Sequence, residues 1–308
     1  MLFGRDKKQG KTVLILDIEN GSVGSALARM APDGAITILE ESRVHMPIRN
    51  SRSAESLAEE THVLLKQATQ RAAELASKLR QGSEPALGDV SDIAVFMSPP
   101  WGKPNLDTGR PDFVSHMQDL LKHEISPYFE SPVNFYTNAG AATQGLRTLA
   151  PYEDKYLLCI VTHEMTELLL IYNGAVAGHA SMPHGMNLPL RTLKTHGGMS
   201  DAEARSLLRL GSGGHATAAL DASTGQYAEE FKRAARDLLD SYVPQQVWVV
   251  SPAGNYFARA LSHESIANVF PQGGVVRALG PKHLQQHVPG PSQDIFLILE
   301  ALYLRYTQ

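Results

Sequence analysis

The sequence predicts an α/β protein built as two similar lobes that face each other across a cleft. Two observations carry this reading. The order strand, polar turn, strand, strand, helix, strand starts at residues 13–30 and starts again at 155–183, the two polar turns lying roughly 145 residues apart. Both stretches are apolar runs of strand length broken by Asn-Gly or similar turns, and the segments between them carry helical periodicity. A repeat this long is a duplicated architecture rather than a solenoid of short units.

Taken in order, residues 12–17 and 23–30 pair as strands, and "AITILEESRVHMP" (35–47) supplies a third. Residues 53–82 form a long helix with Leu57, His62, Val63, Leu64, Ala68 and Leu75 on its apolar face and Gly82 as its stop. "DIAVFMSPPWG" (92–102) is a strand ended by Ser98-Pro99-Pro100, because proline cannot continue a central ladder. A helix follows in "DFVSHMQDLLKHEI", then a short strand feeding a helix of small residues in "PVNFYTNAGAATQGLRTL". In the second half, "KYLLCIVTHEMTELLLIYNGAVAGHASMP" gives three strands joined by a polar turn and an Asn-Gly hairpin. "DAEARSLLRLG" and "GQYAEEFKRAARDLLDSYV" are helical, and "QVWVVSPAGNYFARALS" is strand, turn and helix. The closing helix in "DIFLILEALYLRYTQ" is apolar around most of its circumference and has only Arg305 as a base. Interfacial helices need a basic polar face, so this one reads as a core helix. The first lobe is expected over 1–150, the second over 151–292, with helix 293–307 returning to the first.

Bulk properties exclude several classes. A net charge of −4 over 308 residues gives no general drive toward nucleic acid or anionic membranes. The single cysteine, Cys159, rules out an internal disulfide framework and fits a reducing, cytoplasmic setting. No apolar run reaches the roughly 18 to 20 residues needed to span a bilayer. The start, "MLFGRDKKQGK", reads as a short basic arm without a secretory core.

The chemistry concentrates at the first turn, "LDIENGSVGSA". An apolar strand runs straight into Asp17, and Asn20, Gly21, Ser22 and Gly24 follow. This is a phosphate-binding hairpin or a plain β-hairpin: Asp17 holds a cation or caps the Asn20–Gly21 turn, where Gly21 is expected to take positive φ. In the second turn, His163-Glu164 opens the H-E-x-x-H pattern, but position 167 is Glu and the segment reads as a strand turn, which argues against zinc peptidase chemistry. A dinucleotide fingerprint is missing one glycine and its following helix.

Four segments in register resemble the actin-like ATPase superfamily, its FtsA/PilM branch in particular. "LDIENGSVGSALA" is similar to the family's first phosphate loop, and "THEMTELLLIYNGAVAGHASMPHGMNLPLRTL" to the second loop and its sequel. "NAGAATQGLRTL" resembles the small-residue helix at the lobe crossing, and "VVSPAGNYFARAL" the adenosine-contacting turn. The resemblance implies a duplicated, ribonuclease H-like fold with ATP and Mg²⁺ in the cleft. It implies Asp17 as the Mg²⁺-associated acid and Glu164 as the residue orienting the attacking water. Asn20, Gly21, Ser22, Gly24, His163, Thr166, Ser251, Gly254 and Asn255 would surround the nucleotide. This chain departs from the pattern in each loop. Ile160 stands where the family has an acid and Thr162-His163 where it has paired glycines. Glu19 replaces a glycine, and Pro252 in "SPAG" removes a donor. These changes point to a site that binds nucleotide poorly or not at all.

The function the resemblance implies is an actin-like scaffold serving cell-division or type IV pilus assembly through protein partners or self-assembly into oligomers or filaments. Nucleic acid and direct membrane insertion are not expected, and any attachment to the inner membrane would run through partners. The alternatives are a pseudo-ATPase interaction module, or a small-molecule kinase of the same fold.

Overall fold

The structure is a computed structural model that describes residues 10–81, 88–106, 108, 110–210, 217–239, 243–266, 269–270 and 274–307. The expected N-terminal arm falls almost wholly outside these residues, as does the helix stop at Gly82.

Alternation along the first strand decides how the first lobe is layered. In β1 (Lys11–Ile18), Leu14, Leu16 and Ile18 face one way, while Val13, Ile15 and Asp17 face the other. β1 pairs antiparallel with β2 (Ser22–Met30), and β2 with β3 (Ile36–His45). On its other side β1 pairs in parallel with β4 (Val90–Met97), and β4 with β7 (Val133–Thr137). The resulting order is β3-β2-β1-β4-β7. Helices α1 (Ala54–Gln81) and α2 (Ser115–Ile125) cover the Leu14–Leu16 face. A short hairpin of β5 (Gly102–Pro104) and β6 (Pro111–Phe113) stands beside this sheet, a feature the sequence reading did not contain.

The second sheet repeats the plan. β8 (Lys155–Val161), β9 (Thr166–Tyr172) and β10 (Ala175–Met182) form the antiparallel meander, and β11 (Gln246–Val250) and β12 (Val275–Leu279) extend it in parallel. Its order, β10-β9-β8-β11-β12, matches the first. Helices α4 (Asn187–Gly197), α5 (Asp201–Leu210), α6 (Thr217–Leu239) and α7 (Gly254–Ala260) pack on the outer face. The edge strand β12 also went unread, since "VVRAL" buries fully only its last residue.

A single central core joins the two sheets. The inner faces of both meet α3 (Asn138–Leu149) and α8 (Ile295–Thr307), which are packed on each other. The small residues of α3 allow this. A Cβ built at Gly145 would lie 2.3 Å from Leu299 of α8. α8 also packs against β1, β2 and β3.

The expected positive φ at Gly21 is corrected by the structure. Left-handed backbone occurs at the other Asn-Gly pair, Asn173 (φ 51) and Gly174 (φ 73), where the β9–β10 hairpin needs it. Gly21 is required for a different reason. A Cβ there would lie 2.3 Å from the Cβ of His163, so only a glycine lets the two turns touch.

Candidate functional site

Asp17, the next-to-last residue of β1, points from the sheet toward α3 and α8 and is fully buried. One oxygen accepts from Asn138 Nδ2 at 2.8 Å. The other accepts from Arg43 Nη2 at 2.5 Å. Arg43 lies on β3, two strands away, and reaches across Gly24, where a Cβ would come within 2.7 Å of the guanidinium. The same guanidinium donates through Nη1 to Glu19 Oε1 (2.9 Å) and Ser22 Oγ (2.8 Å), and through Nε to Asp294 Oδ2 (2.5 Å). One arginine, its side chain 9% exposed, therefore sits between three carboxylates, two from the end of β1 and its turn and one from the turn before α8.

The surroundings set the charges. Burial, with smaller contributions from Glu19 and Asp294, raises the Asp17 pKa to about 7 against the opposing pull of Arg43. Burial raises Glu19 to about 7 as well. Asp294 is held below the usual carboxylate range, because Arg43 and the backbone N–H groups of Phe296 and Leu297 outweigh its burial. Glu300 of α8 is buried near Asp17, and burial together with the Asp17 charge pushes its pKa far up.

The second turn closes onto this cluster from the other lobe. His163 Nδ1 lies 2.8 Å from Glu19 Oε2, and His163 Nε2 lies 3.1 Å from His45 Nδ1. Burial, then the charges of Arg205 and Arg43, holds His163 well below the usual imidazole range. The network is satisfied by a neutral ring that donates from Nδ1 to Glu19 and accepts from His45 at Nε2. Asn20 makes the second bridge: its side chain reaches the carbonyl of Pro99, the hydroxyl of Thr162 (3.0 Å) and the backbone N–H of Glu164 (2.8 Å).

The other sequence-derived residues take structural positions. Glu164 accepts from Arg52 Nη1 (2.9 Å), Arg191 Nη2 (2.7 and 2.8 Å) and Asn187 Nδ2 (2.7 Å), so it clamps the loop after β3 to α4. Thr166 Oγ1 joins the His184 carbonyl (2.7 Å) to the Tyr227 hydroxyl (2.9 Å). Ser251 Oγ accepts from the N–H of Ala253 within its own turn. Gly254 opens α7 with its Cβ position 3.2 Å from Ala278, and Asn255 beside it is exposed.

The sequence reading missed Arg43, His45, Asn138 and Glu300. Glu300 had a signal, as the one acid inside the apolar run "IFLILEALYL". Arg43 had none, because strict alternation from Ile36 and Ile38 puts it on the opposite face. A bulge at Leu39, where Ala28 pairs with Ile38 but Leu27 pairs with Glu40, turns Arg43 inward.

These residues do not fit a magnesium nucleotide in this arrangement. The acid that would face Mg²⁺ is bound to an arginine. The two turns that would hold phosphate between them are in contact at Gly21 and His163, and their polar groups bond each other. Among the described residues, no group of three His, Cys, Asp or Glu side chains is placed to hold a metal ion.

Two duplicated five-stranded lobes joined through crossing helices make this the actin-like ATPase fold. Among solved structures, the chain is similar to the PilM of a PilM–PilN type IV pilus biogenesis complex, with a TM-score of 0.62 at 12% identity, covering 96% of this chain and 98% of that one. It is similar to the ethanolamine utilization protein EutJ from Carboxydothermus hydrogenoformans, with a TM-score of 0.61 at 12% identity, covering 98% and 92%. No protein-family model matches the chain, and no curated protein sequence matches it. No helix among the described residues is long and apolar enough to cross a membrane.

Proposed function

We propose that the chain is an actin-fold scaffold that works through protein contacts, with the phosphate end of its cleft filled by its own side chains. The observation that carries this is Arg43, whose guanidinium occupies the space between Asp17, Glu19 and Asp294. Phosphoryl transfer in such a cleft depends on positioning and on stabilising charge, and both resources are engaged internally here. The kinase alternative needs open phosphate loops and gains no support. The likeness to PilM, which is found in a complex with PilN, supports an assembly role of the pilus type, in the cytoplasm and at the membrane only through partners. A cell-division role rests on the motif resemblance alone.

Calorimetric titration with Mg-ATP tests this reading. The expected result is no binding up to about millimolar nucleotide, in the chain and in Asp17→Ala alike. A low-micromolar affinity that Asp17→Ala abolishes would overturn it in favour of a working ATPase.

A further inference from the structure

Beyond Arg43 the cleft is not filled. A cavity of about 500 Å³ remains between β3 and the turn before α8 on one side and α4, α5 and the turn after β11 on the other. That volume suits a small molecule. Its two walls carry opposite charge. The first-lobe side presents Glu41 and Asp294, the latter paired to Arg43 at the inner end, and the second-lobe side presents Arg205 and Arg209. No ion pair joins the walls among the described residues.

The charges differ in how far they are already used. Glu41 accepts from Ser292 Oγ and the Gln293 N–H, and Asp294 accepts from Arg43 and the start of α8. Among the described residues Arg205 donates to the Met46 carbonyl, at 2.9 Å, with the charges of Asp201 and Glu19 nearby, and Arg209 makes no ion pair. Between the charged walls the lining is apolar, with Leu190 and Leu208. A purely anionic ligand would satisfy the arginines but face two carboxylates. A cation would meet the reverse problem.

We propose that this cavity binds a small zwitterion with an apolar body, of the size and polarity of a free apolar or aromatic amino acid. Its carboxylate would lie against Arg205 and Arg209, its ammonium toward Glu41 and Asp294, and its side chain against Leu190 and Leu208. Such a ligand supplies each wall with its opposite charge and links the lobes. A polyphosphate would face Glu41 and Asp294, and the inner end is taken up by the Arg43 side chain, whose charge is already shared among three carboxylates. The inference rests on the closed phosphate end proposed above.

The test is calorimetric titration of the full chain with L-phenylalanine and L-leucine, beside phenylacetate (carboxylate only), phenethylamine (amine only) and adenosine. The expected result is saturable binding of at least one amino acid, weakened by about tenfold or more for both single-charge analogues. Arg205→Gln and Glu41→Gln should each weaken it by a similar factor, and the exposed Arg209→Gln serves as a second variant if Arg205→Gln does not fold. Absence of amino-acid binding up to about 10 mM overturns the proposal. So does binding that neither charge variant changes, or tighter binding of adenosine. The Mg-ATP titration reads separately, so nucleotide binding would refute the closed phosphate end and silence toward amino acids would refute only this inference.

Discussion

The same row of the two sheets handles a buried acid in two ways. Near the end of the first meander the row across the three antiparallel strands is Asp17–Gly24–Arg43. In the second it is Ile160–Glu167–Ser181. In the first row the acid lies on the central strand, the middle position has no side chain, and an arginine crosses the gap. In the second row the acid is in the middle position, an aliphatic residue takes the place of Asp17, and no base stands opposite. Glu167 is 2% exposed, neither of its oxygens has a hydrogen-bond partner, and the nearest base is His179, with Nε2 at 3.3 Å. Burial raises its pKa. A fold can hold an interior carboxyl by giving it a cation or by leaving it its proton. The first way consumes the space and the charge that a ligand would have used.

The largest expected effect follows from removing the cation. Arg43→Met keeps an unbranched apolar stem but leaves Asp17, Glu19 and Asp294 without their shared partner. Losing one member of a buried ionic cluster costs about 3–5 kcal/mol. Chemical unfolding near neutral pH should show a loss of that size, shrinking as the pH is lowered and the three acids take up protons. A loss within the range of ordinary surface substitutions would mean that the cluster is not held together by Arg43.

An intermediate effect is expected where the two turns touch. Gly21→Ala introduces a Cβ into space already held by the Cβ of His163, and neither atom belongs to a flexible chain end. Overpacking of this kind costs about 1–3 kcal/mol. The same measurement on Gly225→Ala, where an added Cβ meets nothing within 4 Å, is the control. Equal stability changes in the two variants would show that the lobes can part at this contact without cost.

These two positions also show how far the fold and the site could be read from the sequence. The duplicated order of strands and helices was legible, because strand alternation, turn residues and helical period are local signals. Asp17 was conspicuous for the same reason, as a carboxyl at the end of an apolar run. The need for glycine at 21 was legible, but its cause was not. The steric partner, His163, lies 142 positions further on, and no local rule brings it there. Arg43 was hidden by one bulged residue, since a shift of one position in a strand exchanges its faces. Glu164 looked like a catalytic candidate, yet its two arginine partners come from different lobes and turn it into a clamp.

The smallest expected effect concerns the second row, and its sign depends on pH. Glu167→Gln replaces a buried carboxylic acid with a neutral group of nearly the same shape. Because the folded pKa is raised above the ordinary 4.5, the native state binds more protons than the unfolded chain at intermediate pH. The stability that the protonated acid contributes is therefore present in full below about pH 4.5 and is lost as the pH rises through the folded value. Glutamine does not titrate and loses nothing over that interval. At acidic pH the two proteins should differ by less than about 1 kcal/mol, and with rising pH the variant should become progressively the more stable. Unfolding curves of both proteins across the pH range check this. A variant that becomes less stable than the parent as the pH rises, with the difference vanishing at acidic pH, would mean that Glu167 is ionised and paired with His179 in the fold. In that case the two rows would have solved the same problem the same way.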